Sequence, residues 1–283
     1  MRNHFLRAAT GKALWTPAQI TTALWLDAAN AASITASSGA VSQWNDNSGN
    51  ARNFTSASGT RPSTGIATLN SKNVLSFNAA YLTSVSSAAT WQFLHDATGS
   101  SVFFVASAGT TANPDSVYGF FGNNGTSTSS NVGVSAFYDD RSFVPRNNTL
   151  TTAIGRGGGS NAVVSQVLSD SVTPNASNIL AILGDPSNAV LANRSIITIN
   201  GGTEQKTNTS NESLSTSAPT FSLQLGATGN NLFPLSGSMA EFIVISGLVS
   251  SAGRQRIEGY LAHKWGLTAN LPAGHPYKSA APT

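Results

Sequence analysis

Clusters of glycine, asparagine, serine and proline divide the chain into many short apolar stretches, and this division constrains the fold more than any other feature. Short apolar runs between turn residues predict a β-sandwich or a β-barrel. Several runs are rich in Val, Ile and Phe, which suit a pleated, half-buried surface. Ten strands are predicted, over residues 23–26, 74–77, 101–107, 118–122, 132–138, 162–168, 179–183, 195–200, 221–225 and 240–246.

The segments between these strands contain residues that tolerate a positive φ. Asn200-Gly201-Gly202 directly follows an apolar run and predicts a hairpin turn. Residues 203–219 are poor in apolar side chains and predict a long surface loop. We find no internal repeat and no charged or proline-rich linker, so we expect one sandwich over residues 18–283 preceded by an arm over residues 1–17.

One segment departs from the strand pattern. Apolar residues recur there at spacings of three and four, which places them on one face of a helix: Ile257, Tyr260, Leu261 and Trp265. Ser250 or Ser251 suits the N-cap, and Gly266 suits the C-terminal end. The opposite face carries Arg254, Gln255, Glu258 and Lys264. We predict one amphipathic helix over 251–265 that docks on the sandwich.

The composition argues against several classes of partner. Charged residues are 10% of the chain, against about 25% in an average domain. The net charge of +3 comes from scattered basic residues, whereas nucleic-acid binding needs clustered ones. No apolar run is long enough to span a membrane, and none follows Met1 as in a secretory signal. We therefore expect neither nucleic acid nor a membrane as a partner.

Two pairs of segments near opposite ends of the chain carry a family resemblance. The first pair is 23–28 and 41–50, which contain Trp25 and Trp44; the second is 237–245 and 256–277. Together they resemble concanavalin A-like, laminin-G-type domains of tailed-phage and environmental bacterial proteins. The resemblance implies an all-β, concanavalin A-like jelly-roll sandwich of two antiparallel sheets with one C-terminal amphipathic helix.

The same resemblance implies a role. It points to a non-enzymatic virion protein, assembled in the cytoplasm of the bacterial host, that decorates or stabilises the capsid or forms part of the tail. Its partners would be the major capsid protein or tail proteins, and homo-oligomerisation is compatible with this. The alternative is a lectin-like adhesion module that binds a host-surface glycan. Because fold does not fix function, both interpretations stay open.

The sequence lacks an obvious hydrolytic site. A glycosidase needs two carboxyl groups across the scissile bond, and the chain has four glutamates, Glu204, Glu212, Glu241 and Glu258. None belongs to the closely spaced acid cluster of concanavalin A-like glucanases. Glu241 is expected to be an exposed or hydrogen-bonded strand residue, so Glu241→Gln should leave function intact. We predict that the chain is not an enzyme.

Metal ligands are also sparse. The histidines, His4, His95, His263 and His275, lack the spacing of a zinc site, and there is no cysteine. Calcium needs several oxygen ligands together, which Asp139, Asp140 and Asp115 would supply only if their loops meet. A solvated turn at Asp139-Asp140 is favoured, so we expect no cofactor and keep calcium as the alternative.

Tryptophans and the arm are the candidate contact residues. Trp25 and Trp265 lie in apolar patterns and are predicted to be core, whereas the polar neighbours of Trp44 and Trp91 make these two the better candidates for sugar stacking. The arm mixes apolar and cationic residues, and aromatic and arginine side chains commonly dominate interfaces. Its predicted partner-binding residues are Arg2, Phe5, Arg7 and Trp15. The alternative is that the arm folds back over its own sandwich.

Overall fold

A computed structural model describes residues 14–109, 116–125, 131–141, 148–158 and 163–283. Its strands are β1 Leu24–Asp27, β2 Ile34–Ser37, β3 Ala40–Trp44, β4 Phe54–Thr55, β5 Thr68–Leu69, β6 Lys72–Asn73, β7 Leu75–Ala80, β8 Leu82–Ser84, β9 Ser100–Ala108, β10 Val117–Gly122, β11 Val132–Asp139, β12 Thr149–Arg156, β13 Val163–Ser171, β14 Asn178–Gly184, β15 Ser195–Ile199, β16 Gln224–Leu225 and β17 Leu235–Ser246. The α-helix α1 is Ser251–Trp265, and the 3-10 helices are Pro17–Gln19, Ala31–Ser33, Ala88–Leu94, Leu191–Asn193 and Thr268–Asn270.

The strands form two large antiparallel sheets. Nine strands make one sheet in the order β13-β12-β11-β10-β16-β8-β4-β3-β2. Six make the other, in the order β1-β17-β9-β14-β15, with β7 also paired to β17, and β5 and β6 form a small hairpin. Strands from the two ends of the chain are neighbours, since β1 pairs with β17. The predicted jelly-roll sandwich is confirmed.

The six-stranded sheet is buried on both faces. Successive side chains of a strand point to opposite faces, so Phe104 of β9 faces the core between the sheets whereas Phe103 faces the helix side. The inner core also holds Phe121 and Phe242, which pack against Phe104. The outer core holds Leu261 and other side chains of α1. Two-sided burial explains why the sequence of β9 is apolar without alternation.

The helix has the predicted bounds, Ser251–Trp265. The side chain of its N-cap, Ser250, accepts a hydrogen bond from the Gly253 N–H, and Gly266 ends it in the left-handed region with φ 71°. Two residues of the predicted polar face are nevertheless buried, since Arg254 is 7% exposed and Glu258 is fully buried. The two side chains pair with each other, which lets both be buried. Among the described residues, no helix is both long and apolar enough to span a membrane.

The C-terminal tail folds back over α1 and the turn after it. The Lys278 Nζ donates to the carbonyl oxygens of Thr268, Ala269 and Leu271, each within 2.8 Å. The Tyr277 carbonyl accepts from His263 Nε2 at 2.9 Å. These contacts hold the Tyr277 ring against the helix, next to a residue without a side chain, Gly259.

Replacing Gly259 with alanine tests this packing. A Cβ at Gly259 would lie 2.4 Å from the Cβ of Tyr277, so we expect Gly259→Ala to lower the free energy of unfolding by about 1–3 kcal/mol. The loss would occur although alanine is favoured over glycine in helices by about 1 kcal/mol. In a Tyr277→Gly background, which removes the Cβ of residue 277, the same change should become stabilising in urea unfolding. Stabilisation by Gly259→Ala in the otherwise unchanged protein would contradict the packing.

The predicted loop over 203–219 contains no strand and lies along the edge of the sandwich. The side chains of Thr207 and Asn208 accept hydrogen bonds from the N–H groups of Leu168 and Gln166, and so close the edge of β13. At its far end the loop is anchored by His95, whose Nε2 lies 2.9 Å from the Ser217 carbonyl oxygen. That contact requires the proton on Nε2.

Acid is expected to destabilise the fold through His95, because burial disfavours its charged form. Burial lowers the pKa of His95 below its ordinary value of 6.5, and the buried Nδ1 has no hydrogen-bond partner. Because the unfolded chain then binds a proton that the folded chain does not, stability contributed by His95 is lost as the pH falls below about 6.5. His95→Gln, which keeps a donor, should show a smaller loss of Tm between pH 7.5 and pH 5. An unchanged loss would contradict this role.

Candidate functional site

The segments that carry the family resemblance meet in one buried cluster where α1 packs on the six-stranded sheet. The cluster joins side chains of β1, β17 and α1, and we call it the clamp: Trp25, Asp27, Glu241, Tyr260, Lys264 and Trp265. The pairing of β1 with β17 places Asp27 opposite Glu241. Residues distant in sequence are therefore brought together by strand pairing and by the docking of the helix.

Glu241 lies at the centre of the clamp and is fully buried. Its Oε1 accepts from Trp25 Nε1 and Tyr260 Oη, both at 2.8 Å. Its Oε2 accepts from Trp265 Nε1 at 2.7 Å and pairs with Lys264 Nζ at 2.8 Å. Lys264 in turn contacts Asp27 Oδ2 at 2.7 Å. The carboxylate of β17 thus receives four donors from two other elements, β1 and α1.

This geometry makes Glu241 a structural residue. Burial raises the pKa of Glu241, and the positive charge of Lys264 opposes that shift. All four neighbours donate, and an ionised carboxylate has enough acceptor sites for them. The expected hydrogen-bonded role of Glu241 is confirmed, but the expectation that Glu241→Gln is harmless does not fit the geometry, since a glutamine offers one acceptor oxygen and adds a donor.

A second buried carboxylate, that of Glu258, lies on α1 itself. Glu258 accepts from Thr198 Oγ1 at 2.8 Å and contacts Arg254 Nη1 at 3.0 Å and His275 Nε2 at 3.4 Å. Arg254 also reaches Glu204 at the surface, with 3.4 Å between Nη2 and Oε1. This network fixes the position of Glu204.

The acidic residue of the loop after β3 has a structural role as well. The Asp46 carboxylate accepts from the backbone N–H groups of Trp25, Ser48 and Arg52. The Asn47 N–H donates to the Trp25 carbonyl oxygen, so this loop covers the free edge of β1. The motif residues of the resemblance therefore stabilise the fold rather than form an open site.

Of the four predicted partner-binding residues, the structure describes Trp15. Trp15 is 4% exposed, and its ring packs edge-on against Tyr260 with 5.7 Å between ring centroids. Its backbone N–H donates to the Pro282 carbonyl oxygen. Its prediction as a partner-binding residue was wrong, because it folds back over the sandwich as the alternative had it. Arg2, Phe5 and Arg7 lie outside the described residues.

The sugar-stacking prediction for Trp44 and Trp91 was wrong as well. Both side chains are fully buried in the inner core. Trp91 packs against Phe54, and its Nε1 donates to Ser84 Oγ at 3.1 Å. For Trp44, which lies in β3, polar neighbours in the sequence were misleading, since residues next to an inward-facing side chain of a strand point outward. The predicted core position of Trp265 is confirmed.

The proposed calcium ligands are engaged elsewhere. The Asp139 carboxylate binds the Arg141 guanidinium through both oxygens, at 2.8 and 2.7 Å. Asp140 accepts from the Ser116 N–H, and Asp115 lies outside the described residues. Within the described ranges, no three His, Asp or Glu side chains are grouped as metal ligands would be. The calcium alternative stays a prediction.

A surface groove of about 320 Å³ lies beside the start of α1. Its floor and wall are apolar and come from three elements: Leu183 of β14, Ile196 of β15, and Leu248 and Val249 from the link between β17 and α1. Leu183 and Ile196 are directly paired across the two strands, on the face that the helix covers farther along. The groove is where the helix leaves this sheet face open.

The rim of the groove is polar. It consists of Asp185, Asn188, Asn193, Glu204, Lys206 and Ser251. The loop after β14 positions the first of these, since Asn188 Nδ2 donates to Asp185 Oδ2 at 2.8 Å. Glu204 is held on the other side by Lys206 Nζ at 2.7 Å and by Arg254. Carboxylates, amides, one ammonium and one hydroxyl therefore surround an aliphatic floor.

A second feature is a polar row on the outward face of the nine-stranded sheet. Paired residues on five neighbouring strands form it: Thr35, Gln43, Thr55, Thr83 and Gln224. None of the five is charged. Gln224 is buried and donates to Thr83 Oγ1 at 3.0 Å, and Thr35 at the other end is exposed. The row is a second uncharged polar surface, on the other sheet from the groove.

Comparisons with known proteins show the fold. No family model and no curated protein matches the chain. Among solved structures, the receptor binding domain of botulinum neurotoxin D aligns with a TM-score of 0.52 and 13% identity, over 84% of this chain and 52% of that one. A Trypanosoma rangeli sialidase in complex with 2,3-difluorosialic acid aligns with 0.53 and 10%, over 86% and 33%.

A third similar structure is the binding domain of Paraclostridial Mosquitocidal Protein 1, with a TM-score of 0.52, 10% identity, and coverage of 82% of this chain and 50% of that one. The chain thus spans about half of the toxin domains and a third of the sialidase. At these identities the likeness establishes architecture alone. The chain has the β-sandwich fold that these binding domains and the sialidase contain.

Proposed function

We propose that the chain is a non-enzymatic, lectin-like module that binds carbohydrate in the groove beside α1. The observation that carries the proposal is the combination of an aliphatic floor, Leu183 and Ile196, with a rim of polar groups at the groove's edge. Ligand sites are concave and mostly apolar, with a few placed polar groups, and typically enclose about 300–1,000 Å³. The volume of the groove lies at the small end of this range, and its lining combines four apolar with six polar residues.

A sugar ring matches such a lining. One face of the ring presents C–H groups, which would lie on Leu183 and Ile196, and its edge presents hydroxyl groups. Hydroxyls donate to carboxylates and both donate to and accept from amides, so Asp185, Asn188 and Asn193 are suitable partners. None of the described residues that line the groove is aromatic, and the aliphatic floor takes the place of a stacking ring.

The positions of the acids favour binding over hydrolysis. Two carboxyl groups would have to face the scissile bond, but Glu241 and Glu258 are fully buried and hold the helix on the sheet. Glu212 pairs with Arg156 at 2.6 Å. Glu204 is engaged by Lys206 and Arg254. We infer that the chain recognises a glycan without cleaving it.

The similar structures support this choice between the two interpretations. Two are described as binding domains of toxins, one of them as a receptor binding domain, and the sialidase was solved with a sialic acid derivative. These properties belong to those proteins. They favour recognition of an external molecule as the use of this sandwich.

A glycan array tests the proposal. We expect the purified chain to bind a subset of immobilised oligosaccharides, and titration calorimetry with the strongest of them should give one site per chain. Incubation with the same glycans should release no reducing sugar. Failure to bind any glycan, or steady release of reducing ends, would contradict the proposal.

A virion role is the second candidate. The resemblance of 23–28, 41–50, 237–245 and 256–277 to phage proteins favours it, and so does the exposed edge strand β2, whose one sheet neighbour among the described strands is β3. An open edge can pair with another chain. Quantifying the chain in purified particles tests this: a fixed copy number supports a virion protein, and its absence from the particles rules that role out.

A further inference from the structure

We infer that the groove selects an uncharged saccharide and discriminates against acidic sugars, with Asp185 as the residue that determines this preference. The inference rests on the proposed function and specifies its ligand class. It comes from the charges that line the groove, which are Asp185, Glu204 and Lys206. Two are negative and one is positive, so the lining residues that the structure describes carry a net charge of −1.

Lys206 is the one cation among the lining residues, and it is already engaged. Its Nζ lies 2.7 Å from Glu204 Oε2, and Arg254 binds the other oxygen of the same carboxylate. Arg254 itself lies against the buried Glu258. A sugar carboxylate entering the groove would have to compete with Glu204 for Lys206, and buried or partly buried carboxylates near one another repel strongly.

Asp185 is the acceptor that remains for hydroxyl groups. Its Oδ1 accepts from Ser187 Oγ at 3.2 Å and its Oδ2 from Asn188 Nδ2 at 2.8 Å. Both donors are neutral, and no ion pair to Asp185 occurs in the described part of the chain. A carboxylate offers about four acceptor positions, so two are left for a ligand. Hydrogen bonds from hydroxyls to a carboxylate are charge-assisted and strong.

Other charges near the loop do not reverse this argument. The Arg194 guanidinium lies beneath the loop, where it donates to the backbone carbonyl oxygens of Asn188 and Glu212. It is thus directed at the backbone and does not line the groove. Among the described residues that line the groove, Asp185 is therefore the charged residue without an ion-pair partner.

The test compares paired glycans that differ in one acidic sugar, such as lactose and α2,3-sialyllactose, among the neutral oligosaccharides of the array. We expect binding to neutral members and at least tenfold weaker binding to their sialylated counterparts. Asp185→Asn should weaken neutral binding about tenfold or more and reduce the discrimination. Glu212→Gln makes the same charge change at a residue that is outside the groove, and should alter neither.

The possible outcomes distinguish a failure of the charge selection from a failure of glycan binding in the groove. Preferential binding of sialylated members, or unchanged discrimination in Asp185→Asn, would overturn the charge selection while leaving glycan binding in place. Binding to no member of the array would overturn the proposed function and the selectivity with it. Because Asp185→Asn could loosen its loop, Asn193→Ala provides a second rim variant, and its neutral binding should also be weaker.

Discussion

Glu241→Gln is expected to lower the free energy of unfolding by about 3–5 kcal/mol, the usual cost of removing one partner of a buried ion pair. Glutamine would leave Lys264 facing Asp27 alone and would set its own N–H₂ group against the donors of Trp25, Tyr260 or Trp265. Since small domains are stable by about 5–15 kcal/mol in total, we expect a large fall in the urea midpoint and in Tm.

Glu212→Gln is the matched control for this prediction. It makes the same chemical change at a side chain that is 43% exposed and pairs with Arg156 on the surface. Exposed ion pairs contribute about 0–1 kcal/mol, so its urea midpoint should stay close to that of the unchanged protein. Equal stability of the two variants would show that the clamp does not hold the helix on the sheet.

Leu248→Arg is expected to abolish glycan binding without unfolding the protein. Leu248 is 50% exposed and forms a wall of the groove, so an arginine there fills the groove and replaces apolar contact with a charge. Its surface position means that stability should change by no more than about 0.5 kcal/mol. Calorimetric titration with the strongest glycan should show no heat of binding.

Val85→Arg is the control for this variant. Val85 is 57% exposed and follows β8 in the nine-stranded sheet, away from the groove. It therefore makes the same kind of change at a similar exposure. Loss of binding in Val85→Arg with normal binding in Leu248→Arg would indicate that the glycan binds on the nine-stranded sheet and not in the groove.

The sequence predicted most strands with closely spaced large apolar residues and missed strands in which such residues stand singly, including β3 with its fully buried Trp44. All ten predicted strands overlap a strand of the structure. The strands missed include β2 and β12, which consist mainly of Thr, Ser, Ala and Ile. These residues carry a weak apolar signal, and the strands form because their neighbours in the sheet satisfy their backbone groups. The helix was predicted to its terminal residues because Ser250 and Gly266 are strong capping signals.

The clamp and the groove could not be predicted in this way. Glu241 is separated from Lys264 by a strand end and a helix, so the buried charge pair becomes visible once α1 is docked. The groove depends on three surface segments, the loop at Asp185, the turn at Glu204 and the link at Leu248. No local pattern relates them. The burial of Arg254 and Glu258 was not predictable, because helical spacing does not reveal partners on other elements.

The clearest signal for the groove in the sequence was the loop Asp185-Pro186-Ser187-Asn188, a turn-forming run that ends a buried strand. It indicates a surface turn and nothing about concavity. The composition does not locate the binding site either, since a neutral, hydroxyl-rich surface is compatible with both the groove and the polar row that includes Thr55 and Thr83. The position of a glycan on the molecule therefore has to be observed.

A crystal structure of the chain with the strongest glycan from the array tests the central claim most directly. We expect one sugar ring to lie on Leu183 and Ile196 with a hydroxyl within hydrogen-bonding distance of Asp185, and the clamp around Glu241 to be unchanged. A glycan bound along the polar row of Thr35, Gln43, Thr55, Thr83 and Gln224, with the groove empty, would contradict the assignment of the site.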